Sequence, residues 1–387
     1  MIETKFKHTE LGLIPHDWEI KTLADVGTIR MCKRIMKYQT DTSGDIPFYK
    51  IGTFGKIADA FISRELYDDF RKKYNYPKQG DILLSAAGTI GRTVVYDGKP
   101  AYFQDSNIVW IENNESLVLN KLLFYLYHRI NWITDTGTIP RIYNGNISSI
   151  WFPLPPTLAE QEKIANALSK IDQLINDLGA LIEKKKAIKQ GTMQDLLTAK
   201  RRLKGFTGEW KEKQLKEICE RYDNLRIPIS AKLRKKGNTP YYGANGIQDY
   251  VEGYTHDGEF ILIAEDGANS LTNYPIKYVI GKIWVNNHAH VITAKDEKTN
   301  NVYLSYALKC VDFESNIVGS GRAKLNADTL MQLSVVIPPT LAEQNAIANI
   351  LSSMDTEITN LEQKRNKYIV IKQGMMQNLL TGKIRLI

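Results

Sequence analysis

The heptapeptide P-P-T-L-A-E-Q occupies Pro155 to Gln161 and returns at Pro338 to Gln344. I-A-N follows at Ile164 to Asn166 and Ile347 to Asn349, and I-K-Q-G at Ile188 to Gly191 and Ile371 to Gly374. L-L-T closes both copies, at Leu196 to Thr198 and Leu379 to Thr381. The offset is 183 throughout (338 − 155, 381 − 198). A gap-free repeat of about 45 residues, separated by a much less similar stretch, marks a duplicated module with one fixed part and one changeable part.

The fixed part reads as helix. Apolar residues in the first copy fall at Ile164, Leu168, Ile171, Ile175, Leu178 and Ile182, in steps of 4 and 3. The second copy places Ile347, Leu351, Met354, Ile358 and Leu361 at the same steps. That is a heptad seam. Thr157 and Thr340 stand as N-caps after Pro-Pro, and Glu160 and Glu343 three residues on would complete capping boxes. Gly382 is the expected stop of the second helix. Helices over 158–198 and 341–381 would each be roughly 60 Å long. Seams this narrow predict that the two pack on each other, antiparallel, giving a pseudo-twofold internal repeat. Gly191 and Gly374 inside the pattern are expected to mark a close helix–helix approach, or else a local break.

The changeable modules span 1–154 and 201–337, and helical spacers span 155–200 and 338–387. The expected fold class is α+β: two α/β modules separated by two long helices. G-D-I-L-L-S-A-A-G (Gly80 to Gly88) resembles G-E-F-I-L-I-A-E-D-G (Gly258 to Gly267), each a turn, a buried strand and a turn. Gln104 to Trp110 is matched to Asn286 to Ile292. A short apolar helix is expected near Leu117 to Arg129 and near Val302 to Lys309, followed by Gly-rich turns at Gly137 and Gly319. Met31 to Gly55 and Leu225 to Gly246 read as long irregular loops.

At 387 residues, with 43% hydrophobic and 10% aromatic content, the chain can build more than one core. A formal charge of +8 makes an acidic partner plausible, nucleic acid first. Cys32, Cys219 and Cys310 are isolated, which fits a reducing compartment and disfavours a zinc ribbon or redox pair. The N-terminal residues lack an apolar signal core, and no apolar run approaches the roughly 18 residues that would span a bilayer. A soluble, cytoplasmic protein is expected.

The order module, helix, module, helix resembles the specificity subunit of type I restriction-modification systems. The resemblance is carried by P-P-T-L-A-E-Q, I-K-Q-G-x-M-Q and L-L-T in both copies. Y-Y-G-A-N-G-I (Tyr241 to Ile247), G-K-I-W-V-N-N-H-A-H (Gly281 to His290) and G-D-I-L-L-S-A-A-G-T-I-G (Gly80 to Gly91) add to it. The resemblance implies two target recognition domains, each reading one half of a split, asymmetric double-stranded DNA site. It implies helices that fix the gap and dock two modification (methyltransferase) subunits, joined by restriction (translocating endonuclease) subunits. The subunit itself would be non-catalytic and carry no cofactor, with S-adenosylmethionine, ATP and Mg on its partners.

Basic, amide and aromatic residues in the loops are the candidate DNA contacts. In the first module these are Lys33, Arg34 and Lys37; Arg71, Lys72, Lys73, Tyr74 and Asn75, with Tyr76 beside them; then Arg92, Arg141 and Asn144. In the second they are Arg226, Lys232, Arg234, Lys235, Lys236, Tyr241, Tyr242, Asn245, Gln248, Asn287, His288, Arg322 and Lys324. Arg141 and Arg322 stand out, because each follows a Gly-rich turn in its module. Asn286 and His290 belong to a polar set equally suited to structural hydrogen bonds, and no metal site has sensible ligand spacing. Lys184, Lys185 and Lys186, on a helix, suit a solvated face or partner docking.

Both Pro-Pro pairs are preceded by Leu154 or Ile337 and followed by Thr, so the Asn/Asp-Pro-Pro-aromatic motif of amino-methyltransferases is missing. A phosphate-binding G-x-x-x-x-G-K-[ST] loop is missing too. A stand-alone DNA-binding regulator and a coiled-coil scaffold are the competing readings. The scaffold leaves the divergent basic modules unexplained.

Overall fold

The computed structural model describes residues 5–132, 140–316 and 324–387. The chain divides into two units, Met1–Asp177 with Lys364–Ile387, and Leu178–Gln363. Each holds one changeable module, part of the first long helix (Leu158–Leu197) and part of the second (Leu341–Leu379). Among the described residues, no helix is long and apolar enough to cross a membrane.

The helices start where the sequence places them. The Thr157 hydroxyl accepts from the Glu160 N–H at 3.2 Å, and Thr340 from Glu343 at 3.3 Å. The reciprocal half of the expected capping box does not form. The Glu160 and Glu343 carboxylates are 4% and 0% exposed, and a buried carboxylate needs a cation more than a backbone donor. Glu160 pairs with Nε and Nη2 of Arg385, whose Nη1 and Nη2 also grip Asp17 at 2.9 and 3.0 Å. Glu343 pairs with Arg202 at 2.8 and 2.9 Å. These pairs are related by the repeat (343 − 160 and 385 − 202 are both 183).

Within each unit the helix segments run antiparallel. In the first, Glu160 meets Arg385 and Asp172 meets Lys372 at 2.6 Å. In the second, Asp355 meets Lys189 and Glu343 meets Arg202. As one residue number rises the other falls. Seam residues Ile164, Leu168, Ile171, Ile175, Leu178, Ile182, Ile347, Leu351 and Ile358 are buried, while Met354 and Leu361 are partly so. The lysine run corrects the expectation of a solvated or docking face in part. Lys185 pairs with Glu357 at 2.7 Å and Lys186 with Glu362 at 2.8 Å, both reaching the second helix, while Lys184 is exposed.

Gly191 and Gly374 mark neither a close approach nor a break. The helices run through them, and a Cβ at either would meet nothing within 4 Å. Nothing in the structure explains them. Gly382 does stop the second helix, with φ +70°, and an added Cβ would collide with Pro15. Its repeat partner Ala199 takes the same left-handed conformation (φ +57°), at a cost of about 1–2 kcal/mol.

Each module is closed by a two-stranded pair that joins its entry to its exit. Glu19–Thr22 pairs antiparallel with Trp151–Leu154, and Lys211–Gln214 with Ser334–Ile337. In the first module a four-stranded sheet runs in the order Gly27–Met31, Ile108–Asn113, Ile82–Ser85, Thr93–Val95. A three-stranded sheet of Phe61–Ile62, Ile46–Tyr49 and Tyr102–Phe103 accompanies it. The second module merges its strands into one six-stranded sheet, Cys219–Arg221, Ala289–Ala294, His256–Ala264, Ile276–Val285, Lys236–Gly243, Gly246–Val251. The apolar helices are Asn120–Tyr127 and Asn301–Ala307.

Three expectations need correction. Met31 to Gly55 holds the single turn Lys37–Gln39 and the strand Ile46–Tyr49, so it is not one irregular loop. Leu225 to Gly246 is not wholly irregular: Lys236–Gly243 and Gly246–Val251 form a hairpin across Ala244 and Asn245. The Asn245-Gly246 dipeptide is a strong hairpin signal. The match of Ile108 to His290 is one residue out of register. Ile108 lies opposite Ser85, and Ala289 opposite Ala264. Side chains alternate along a strand, so the slip puts His290 on the face that Val109 takes, opposite to that of Ile108, and both faces are buried.

Leu168 and Leu351 are fully buried in the cores that join helices to module. Leu168→Ala and Leu351→Ala should each lower unfolding free energy by about 2–5 kcal/mol, read from denaturant midpoints. A loss under about 1 kcal/mol would contradict the core placement.

Candidate nucleic-acid interface

In the first unit the structure brings two of the predicted basic clusters together. Lys33 and Arg34 follow the strand Gly27–Met31, and Lys72 and Lys73 end the helix Arg64–Lys73, just before Tyr74 and Asn75. All six line one open cleft of about 700 Å³ with Met31, Cys32 and Asp105. Ser63 starts that helix by accepting the Leu66 N–H. The Lys33 ammonium lies 5.2 Å from the Tyr74 ring centre, and Arg34 holds Asp105 at 2.8 Å while its side chain stays largely exposed. Lys73 pairs with Asp69 one turn back. Arg71 turns from the cleft to lie over Tyr67 and Tyr76. Burial pushes the Cys32 thiol up to about 12, which keeps it neutral.

The other first-module candidates are dispersed. Lys37 sits exposed on the single turn Lys37–Gln39. Beside it Tyr38 is 84% exposed, an aromatic the charge-led reading missed although its neighbours pointed to it. Arg92 donates to the Phe54 carbonyl at 2.9 Å and its N–H to the Ser85 hydroxyl, so it braces a loop. Arg141 and Asn144 are exposed.

In the second unit several candidates are structural. Arg226 is partly buried and held by Glu265 (2.6 Å), Asp223 (3.5 Å) and the Ala289 carbonyl (2.9 Å). Tyr241 and Tyr242 are core residues, and the Tyr241 hydroxyl meets the backbone of Ile229. Arg234 lies 4.1 Å over the Tyr241 ring centre and bonds the Ile229 carbonyl. Asn245 donates to the Gly267 carbonyl and accepts the Asn269 N–H, so its amide is spent on joining two loops. His290 is buried, one ring nitrogen 2.7 Å from Asp223 and the other 2.8 Å from the Leu325 carbonyl, and Asn286 is buried beneath the His288 N–H. Clusters of basic and amide residues look alike in sequence whether they face solvent or a buried acid; only the fold separates them.

What remains outward in the second unit is Lys232, Lys235, Lys236, Gln248, Asn287 and Lys324, with His288 half-exposed. Lys282, over the exposed Tyr254 at 4.8 Å, was missed, although it lies on the outward phase of the strand Ile276–Val285. Arg322 lies outside the described residues, as do the turns at Gly137 and Gly319.

Asp223, Glu265 and His290 each place one ligand atom within 4.8 Å of the others, a spacing that would suit a cation. The Arg226 guanidinium already sits among them. Burial works to raise the Asp223 carboxyl, but the His290 bond, the Val291 N–H and Arg226 together hold it below the usual carboxylate range.

One turn is built identically in both units. Gly88 and Gly267 take φ +65° and +78° at the end of a central strand. The Ile142 N–H reaches the Ala86 carbonyl, and the Leu325 N–H the Glu265 carbonyl. Bridges then join Ala87 to Arg141 and Asp266 to Lys324. The counterpart of Arg141 is therefore Lys324, not Arg322.

The family described as "Type I restriction modification DNA specificity domain" matches residues 15–190 and again 207–370. A putative type I restriction enzyme specificity subunit of Haemophilus influenzae is 58% identical over 157 residues, 40% of this chain and 40% of that protein. The putative type I restriction enzyme MjaX specificity subunit of Methanocaldococcus jannaschii is 28% identical, over 99% of this chain and 97% of its own. The crystal structure of a type I restriction-modification S subunit from M. genitalium has the same fold. Its TM-score is 0.66 at 18% identity, covering 97% of this chain and 98% of that one. With both of its modules and most of both long helices matched, the chain belongs to the type I restriction-modification DNA specificity family.

Proposed function

We propose that each module reads one half of a split double-stranded DNA site and that the helix pair sets the gap between the halves. The observation that carries this reading is the contrast inside the chain. Two units share the closing strand pair, the left-handed glycine turn and the same helix contacts, yet present different surfaces: a cleft of Lys33, Arg34, Lys72 and Lys73 in one, and exposed Lys232, Lys235 and Lys236 in the other. An asymmetric site needs two different readers, whereas two identical partners need the same docking surface twice. In this reading the partners are two modification subunits, with restriction subunits joined through them. The chain does no chemistry itself; S-adenosylmethionine, ATP and Mg belong to the partners.

Methylome sequencing of a methylation-free host expressing the chain with its cognate modification subunit tests the reading. A single split motif that disappears when either component is omitted is the expected result. Methylation of the same motif by the partner alone would overturn it.

The exposed and buried basic residues should behave differently. Lys235→Ala with Lys236→Ala should weaken DNA binding by the complex at every sequence and flatten its salt dependence by up to about 2 in log–log slope. Arg226→Ala should instead lower the unfolding midpoint, because it removes a shared ion-pair partner from two partly buried carboxylates, Asp223 and Glu265. Four residues inserted after Gly179 and four after Glu362 would add one turn, about 6 Å, to each helix. The gap should lengthen by roughly one or two base pairs with both half-sites unchanged, and an unaltered gap would refute the spacer role.

A further inference from the structure

In each unit one tyrosine, one aspartate and one lysine meet on the helix pair. In the first, the Tyr125 hydroxyl donates to Asp172 at 2.9 Å, and the other Asp172 oxygen takes the Lys372 ammonium at 2.6 Å. In the second, Tyr306 donates to Asp355 at 2.6 Å, and the other Asp355 oxygen takes Lys189. Each ammonium also lies over the same tyrosine ring, at 5.8 and 5.5 Å. Burial, then the bond to the carboxylate, raises both phenols, so they stay protonated donors. Each node ties three parts of the chain: the module's apolar helix and one segment of each long helix.

A second attachment lies 11 residues away in both units (172 − 161, 355 − 344), about 16 Å along the helix. There Gln161 accepts the Leu119 N–H and donates to the Leu117 and Pro155 carbonyls. Gln344 accepts from Asn300 and Thr299 and donates to Lys298 and Pro338. Apolar packing between module and helices is non-directional and tolerates sliding or rocking. One polar attachment makes a pivot, and a second at that distance removes the rotation. The two modules differ in sequence and sheet layout, yet both keep a tyrosine at this place.

We propose that the two nodes, Tyr125–Asp172–Lys372 and Tyr306–Asp355–Lys189, are positioning devices that fix the angle of each recognition module on the helix pair and thereby restrict DNA recognition to one gap length. The inference rests on the split-site reading above. The nodes touch no DNA; they act through the modules they hold.

The test uses the full chain with its cognate modification subunit, as wild type and as Tyr125→Phe, Tyr306→Phe and the double variant, followed by methylome sequencing. Lys372→Met serves as a second probe that leaves the tyrosine bond in place. A hydrogen bond to a charged group is worth a factor of about ten or more. Discrimination against sites whose gap is one base pair longer or shorter should therefore fall about tenfold, with the half-site bases unchanged and the thermal midpoint within a few degrees. An unchanged single gap in variants that remain folded would overturn the proposal. A change in the half-site bases would overturn it too, because it would make the nodes part of base reading. A wild-type chain that gives no split motif would overturn the parent reading, and the inference with it.

Discussion

Two buried carboxylates, Glu160 and Glu343, control how the chain is put together. Each sits in the first turn of a long helix, almost wholly out of water, and each is neutralised by an arginine that follows the end of the other long helix. Removing one partner from such a pair costs about 3–5 kcal/mol, because the remaining charge is stranded. The first unit therefore depends on Arg385, which also grips Asp17 and lies over Trp18. The second depends on Arg202 and on Trp210, whose indole N–H also donates to Glu343. An antiparallel helix pair satisfies both carboxylates, and a parallel one would satisfy neither.

The division of labour follows. The repeated segments carry the helix seam, the arginine–glutamate pairs and the glutamine hooks, which must all be kept for a unit to close. The surfaces beyond the sheets carry no such duty and are free to differ. The first module splits its strands between a four-stranded and a three-stranded sheet, whereas the second merges them into six. Both still close entry against exit with the same two-stranded pair, and both end a central strand in the same left-handed glycine turn. The scaffold is constant while the loops that would meet a ligand are not.

Much of the architecture was legible in the sequence. The 183-residue offset, the heptad steps, the Thr N-caps and Gly382 located both helices, whose observed ends at Leu197 and Leu379 fall within two residues of the expected ones. The repeat even runs on to Arg202-Leu203 and Arg385-Leu386, a continuation visible in the sequence but given no role there. Individual site residues were much less legible. Lys33, Arg34, Lys72 and Lys73 do share a cleft, but Arg226 and Arg234 are partly buried against partners in the fold, and Tyr241, Tyr242 and His290 lie inside. A local pattern cannot tell an arginine facing a phosphate from one facing Glu265, which lies 39 positions away.

By itself, then, the sequence determined the periodic and the local: two long helices, their pairing and the repeat of the whole. These follow from side-chain spacing along one element and from duplication. Only the tertiary structure decided which charges are satisfied internally, which capping carboxylate leaves its helix end for a distant arginine, and which tyrosine grips an aspartate across three chain segments. Those choices depend on burial, and burial is a property of segments that meet from far apart in the chain.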